Sequence, residues 1–222
     1  MTYEELENEL VRDITWRKRE FTELSFINSS KMPDFRKEII LKASINLLYS
    51  HWEGHIKYSA RKYIEYIVKQ ELSCSALTEN FQKILVGKHF SNAQYNLNGN
   101  IDTQEKLYDF FNDTSLKFDV DKDKTIQTKS NLNYQRIEII LRQLGFPRNL
   151  FDPEKDFIDK KLIDARNAIS HGDEQKIISH NIEDVYTQVK TKLLDMIQRF
   201  HDLILESAMN KKYLKSSTVE SP

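Results

Sequence analysis

The chain has 222 residues, 39% of them hydrophobic and 30% charged, with 5 Gly, 4 Pro and a formal net charge of -1. That length can bury a sizeable core, and so few chain-breaking residues exclude an all-β fold with frequent turns. The near-neutral charge confines any nucleic-acid-binding surface to a local patch, and the lone cysteine, Cys74, excludes an internal disulfide and a cysteine-based zinc site.

The chain reads as helices in series. Over residues 3–28, Leu6, Leu10 and Ile14 recur at i+4, and Phe21, Leu24 and Ile27 follow at near-helical spacing. Ser29, Ser30 and Pro33 break that run. Residues 34–72 predict a longer helix, with Ile40, Ala43, Leu47 and Ile45, Leu48, Trp52, Ile56 tracing its apolar surface. Gly54 sits inside it, where glycine costs about 1 kcal/mol relative to alanine, so a close backbone approach or a bend is expected.

Weaker helices are expected over 76–92 and 103–112, with an Asn-rich loop at 93–100. The polar stretch 113–131, in which Leu116, Phe118 and Val120 alternate, reads as an exposed loop or one short strand. Asn131 or Asn133 is placed to cap a helix over 134–144 that Gly145 and Pro147 end. A helix over 154–171 carries Ile158, Leu162, Ala165 and Ile169, and Gly172 stands where a C′ glycine belongs. Asn181, with Asp184 three residues on, caps the last helix, whose stripe runs from Ile182 through Leu193 to Leu203. The expectation is an all-α antiparallel bundle with long N-terminal helices, forming one domain over 1–210, with 211–222 as a mobile tail. The first residues, Met1-Thr2-Tyr3-Glu4-Glu5-Leu6, lack the apolar run of a signal peptide. Nothing approaches the roughly 18 apolar residues that span a bilayer. The reading is a cytoplasmic protein with no membrane partner.

The chemistry concentrates in Asp164-Ala165-Arg166-Asn167-Ala168-Ile169-Ser170-His171-Gly172. Asp164, Asn167 and His171 lie at i, i+3 and i+7 and share a face, distinct from the stripe through Ala165 and Ile169. The long Arg166 side chain reaches round to the same place. The negative end of the helix dipole favours a protonated histidine in the last turn, and an imidazole moves protons between oxygens near neutral pH. A guanidinium matches two phosphate oxygens with its fork. On spacing alone, the bland alternative is a helix-end cation at His171 and a surface amide at Asn167.

Arg166-Asn167-Ala168-Ile169-Ser170-His171, ending the penultimate long helix of an all-α chain, resembles the R-x4-6-H signature of the HEPN superfamily, with four intervening residues. Leu48-Tyr49-Ser50-His51-Trp52-Glu53-Gly54 is similar to the Y-x-H-W-E-G stretch of a prokaryotic HEPN-like nuclease family. The resemblance implies a helical bundle that pairs symmetrically, so that two such motifs form one cleft across the dimer axis. It implies RNA cleavage without a metal or other cofactor, in which the ribose 2′-OH attacks and a 2′,3′-cyclic phosphate remains. Arg166 and His171 are then the catalytic pair, with Asn167, Glu53, His51, Asp164 and Ser170 in support. Toxin–antitoxin and anti-phage roles go with the superfamily, as do an antitoxin or defence-system partner. Some members have a Tyr two residues after the His for pairing with a nucleotidyltransferase antitoxin, and this chain has Asp173 instead. Non-catalytic HEPN dimers that act as interaction or scaffold modules form the competing class.

Other candidates are weaker. Glu53 could orient Arg166 or His171, or form a structural salt bridge. His51 and His55 stand at i, i+4, the spacing of a metal pair, but no HExxH pattern or third ligand accompanies them. Lys57, Tyr58, Arg61, Lys62 and Lys69 could track an RNA backbone or form a solvated helix face. His180 and His201 have no reading beyond surface and bundle positions.

Overall fold

The computed structural model describes residues 1–91, 101–113, 115–129, 131–179 and 181–215. The loop expected at 93–100, His180 and the last part of the expected tail lie outside the described residues. α1 spans Tyr3–Ser29 and begins in a capping box: Thr2 Oγ1 accepts from the Glu5 amide at 3.2 Å, and the Thr2 amide donates to Glu5 Oε2 at 2.8 Å. α2, Asp34–Val68, starts directly after Pro33 and runs 35 residues, about 50 Å at 1.5 Å per residue. α9, Ile182–Met209, packs along α2, and α1 lies against both. These three long helices enclose the core.

α2 is central because it is apolar on more than one side. Leu48, Trp52, Ile56, Ala60 and Ile64 are fully buried, as are Leu193, Phe200 and Ile204 of α9. Each such Leu, Ile or Phe contributes roughly 1.5–3 kcal/mol by leaving water. The glycine expected to mark a close approach does so. A Cβ on Gly54 would stand 2.9 Å from Arg17 Nη1, and the Arg17 guanidinium crosses there to donate to the His51 carbonyl at 3.2 Å. Asp13 takes Arg17 in a two-pronged bond at 2.8 Å to each oxygen and lies 2.7 Å from His55 Nδ1. The Asp13–Arg17–His55 group is a buried polar joint between α1 and α2.

The remaining helices pack around this core: α3 (Glu79–Ser91), α4 (Ile101–Asn112), α5 (Lys122–Thr125), α6 (Tyr134–Leu144), α7 (Asp164–His171) and α8 (Glu174–Ser179). α6 is capped by Asn133, whose Oδ1 accepts from the Arg136 amide, and ends at Gly145 with φ +75°. The 113–131 stretch holds one isolated antiparallel bridge, Ser73 with Lys117, beside buried Phe118 and Val120. Residues 211–215, placed in the expected tail, pack against the bundle. Tyr213 is buried, its carbonyl accepts from the Thr78 amide at 2.9 Å, and Leu214 bridges Leu77.

The helix expected over 154–171 is not one α-helix. Phe157–Ile163 is a π-helix that runs straight into α7. Its buried residues are Phe157, Ile158, Leu162 and Ile163, two pairs separated by five. That spacing faces a core only if the turn is widened to i→i+5. Downstream, Ala165 and Ala168 are buried, while Ile169 is only partly so.

Candidate active site

α7 lies against α2. Its buried edge is Ala165 and Ala168, small residues that let the two backbones approach, and its outer face carries exposed Asp164, Ser170 and His171 with half-buried Asn167. The shared face expected of Asp164, Asn167 and His171 is thus a surface face. Gly172 ends the helix at φ +67°, a conformation glycine adopts without strain. Its amide donates to Ile169 O at 3.3 Å and that of Asp173 to Ala168 O at 2.9 Å, closing the end of the motif helix. Asp173 then turns to α8, accepting from the Lys176 amide at 3.1 Å.

Arg166 is held from three sides. Its Nη1 donates to Asn131 Oδ1 at 3.0 Å and to Asn167 Oδ1 at 2.9 Å, and its guanidinium lies 5.0 Å from the centre of the Tyr49 ring. Its Nε and Nη2 make no hydrogen bond among the described residues. The fork is fixed at one nitrogen and keeps two donors for an anion. Tyr49 is itself anchored. Its hydroxyl accepts from the Leu132 amide at 2.8 Å, and burial together with the Glu53 carboxylate pushes its ionisation well above the usual phenol range. Glu53, one turn after Tyr49 on α2, thus reaches the motif through Tyr49.

His51 does not join this group. Two residues beyond Tyr49 on a helix is about 200° round the axis, so His51 faces α1. Its Nε2 lies 2.8 Å from Glu20 Oε2, its ring meets the Trp16 edge at 5.0 Å, and burial pulls its pKa down. His55 shares that face, bonded to Asp13, so the i, i+4 pair serves the α1–α2 joint. His201, also buried, lies with its ring tilted against that of His55, 5.8 Å between centres.

Asn131 and Tyr49 were not legible as functional partners. Asn131 read as a possible helix cap, but Asn133 takes that role and leaves Asn131 to Arg166. Tyr49 lay within the recognised α2 stretch, yet its contact with Arg166 is purely tertiary. Two cations of the expected track on α2 are paired internally: Arg61 with Asp123 at 2.6 Å, and Lys62 with Glu9 at 2.5 Å and Glu65 at 3.3 Å, while Lys57 and Lys69 form no ion pair among the described residues.

A protein-family model described as HEPN_MAE_28990-like HEPN matches residues 6–213, which hold both the α2 stretch and the α7 motif. The chain belongs to this HEPN family. No curated protein and no solved structure matches it. In this HEPN chain, the R-x4-H motif stands on a surface helix with its arginine oriented from behind and its histidine at the helix end. No helix among the described residues is long and apolar enough to cross a membrane.

Proposed function

We propose that this HEPN chain is a metal-independent endoribonuclease that serves as a toxin or anti-phage defence effector. The observation that supports this most is the Arg166 guanidinium, fixed through Nη1 and open at Nε and Nη2, on the same short helix as His171. His171 takes the proton of a ribose 2′-OH as that oxygen bonds to phosphorus. The bond to the 5′-oxygen breaks, and that oxygen receives a proton as it leaves. A 2′,3′-cyclic phosphate remains. Arg166 holds the non-bridging oxygens and offsets the added charge of the phosphorane. Asn167 orients Arg166, and Asp164 and Ser170 lie on the same helix within the substrate-facing surface.

The chain works as a symmetric homodimer, in which a second motif supplies the matching acid across the axis. Exposed apolar side chains on α2 and α8 support this. Phe35 and Ile39, one turn apart on α2, are 63% and 60% exposed, and Ile178 on α8 is 75% exposed. An antitoxin or defence-system partner would restrain the enzyme.

The test is RNA cleavage by purified protein in EDTA, with His171→Ala as the contamination control. Cleavage with cyclic-phosphate ends, blocked by a 2′-deoxy residue at the cut site, is expected. Intact RNA would leave a non-catalytic HEPN dimer as the better reading, and cleavage abolished by EDTA would refute the mechanism. Light scattering that finds an active monomer would refute the dimer.

A further inference from the structure

A net charge of -1 conceals an uneven distribution. A cleft of about 1230 Å³ lies between α3, α5, α6 and the 211–215 segment, and seven Lys and Arg line it against two carboxylates. Lys83, Lys88 and Lys212 have carboxylate partners in Glu79, Asp119 and Glu206. Lys124, Arg142, Arg148 and Lys215 are exposed and form no ion pair among the described residues. Some cations elsewhere are paired, such as Arg61 and Lys62 on α2. Gathering four unpaired ones in a concave wall raises their mutual repulsion, which an external polyanion offsets.

The shape and lining narrow the occupant. Drug-sized ligands fill roughly 300–1,000 Å³, so this cleft is larger than a mononucleotide needs. Its one aromatic residue, Phe146, is buried and turned to Tyr63 at 5.6 Å, which leaves no ring for stacking bases. A site of cations without stacking platforms reads phosphates, not sequence. The cleft and the motif share one side of α2. Tyr49 faces Arg166 and Tyr63 faces Phe146, and these positions lie on nearly the same helix face, about 21 Å apart along the axis.

We propose that this cleft is an RNA exosite that holds the phosphodiester backbone of the strand whose scissile bond lies at the Arg166–His171 motif. The proposal rests on the ribonuclease reading above, and it makes strand length a determinant of affinity.

The test uses the full chain with His171→Ala, so that binding is measured without turnover. Fluorescence anisotropy is read for single-stranded RNA of about 20 and about 4 nucleotides, bracketing the span of a typical single-strand site. Lys124→Glu/Arg142→Glu/Arg148→Glu, with the corresponding Gln triple as a milder variant, should weaken binding of the long strand at least tenfold. It should lower the salt slope of log K by about 2, at about 0.7 for each lost phosphate contact. Binding of the short strand should stay unchanged. Unaltered affinity and slope for the long strand, with thermal unfolding as in the parent, overturns the exosite. So does an equal loss for both lengths, which marks general attraction. Failure of the ribonuclease reading is read separately: RNA that binds through the cleft but stays intact with the unmutated chain.

Discussion

The Arg166 guanidinium and the side-chain Oδ1 of Asn131 meet at 3.0 Å, and the next residue, Leu132, donates its amide to the hydroxyl of the tyrosine beneath that same guanidinium. Two consecutive residues of one short turn therefore hold both the side of Arg166 and the ring it rests on. The orientation of the motif arginine is set from outside the motif.

Tyr49→Phe should separate the two roles of that ring. It keeps the face under Arg166 and strands the Leu132 amide, whose loss as a buried donor costs about 1–3 kcal/mol. A lower urea midpoint with most cleavage retained is expected. Tyr49→Ala removes the ring as well and should lose most cleavage. Equal activity of the two variants would show that the ring does not orient Arg166.

Asn131→Ala removes one of the two acceptors on Nη1. A bond to a charged group is worth about 1.5–3 kcal/mol, so kcat should fall by roughly 10- to 100-fold with little change in KM for RNA. A change in KM alone would assign Asn131 to RNA binding instead.

His171→Ala should lower cleavage by about 10²–10⁴-fold, the range of a proton-transfer group, with RNA affinity and dimerisation preserved. Arg166→Lys keeps the charge and loses the fork, so most activity should go with it. Near-normal cleavage by His171→Ala would reduce that residue to a helix-end cation.

Acid should unfold the protein in two adjoining windows. Burial, with the neighbouring His55, lowers the His201 pKa from 6.5 to about 4. The folded state binds that proton less well than the unfolded chain, so the stability is complete above pH 6.5 and declines toward pH 4, by about 3 kcal/mol. For Asp13, burial raises the pKa, but bonds from His55 and Arg17 outweigh it and hold the carboxyl at about 2. Its contribution is present above the ordinary carboxylate range and is lost as pH falls through about 2. The urea midpoint of the parent should drop between about pH 7 and 4.5, and His201→Gln should flatten that drop. A parent midpoint that does not move across this interval would contradict the assignment.

Gly54→Ala should destabilise the parent, because the new methyl meets Arg17 Nη1, which Asp13 pins in place. In an Arg17→Ala background the same change should stabilise, by up to about 1 kcal/mol from helix propensity. The sign reversal in paired denaturation curves is the measurement, and its absence would free Gly54 from this contact.

What could be read from the sequence was local. α6 was legible to the residue because Asn133 and Gly145 mark its ends with backbone chemistry, and Asn181 caps α9 as its spacing announces. α8 was not legible, since six residues carry too little periodicity. The π-helix escaped because an α period can be fitted through Ile158, Leu162 and Ala165 if Phe157 and Ile163 are ignored. At the candidate site the motif residues stood out, but Asn131 and Tyr49 meet Arg166 from 35 and 117 positions away, and tertiary contacts of that range leave no mark in spacing. His51 was assigned to the motif by adjacency in the α2 stretch, which a helix turns into opposition. The cationic cleft escaped for the same reason: its unpaired members are scattered from Lys124 to Lys215.

Where the widened turn at Phe157–Ile163 runs into α7, residue count is as strict a requirement as residue identity in the motif. Because the widened turn already absorbs an extra residue, deleting one would restore an ordinary helix with the downstream face nearly in register, whereas inserting one into the adjoining α-helix would turn everything downstream by about 100°. Arg166 would swing away from Asn131 and Tyr49 with the whole R-x4-H sequence intact. A chain longer by one residue here would carry a perfect signature and a misaimed arginine, without a change to any motif residue.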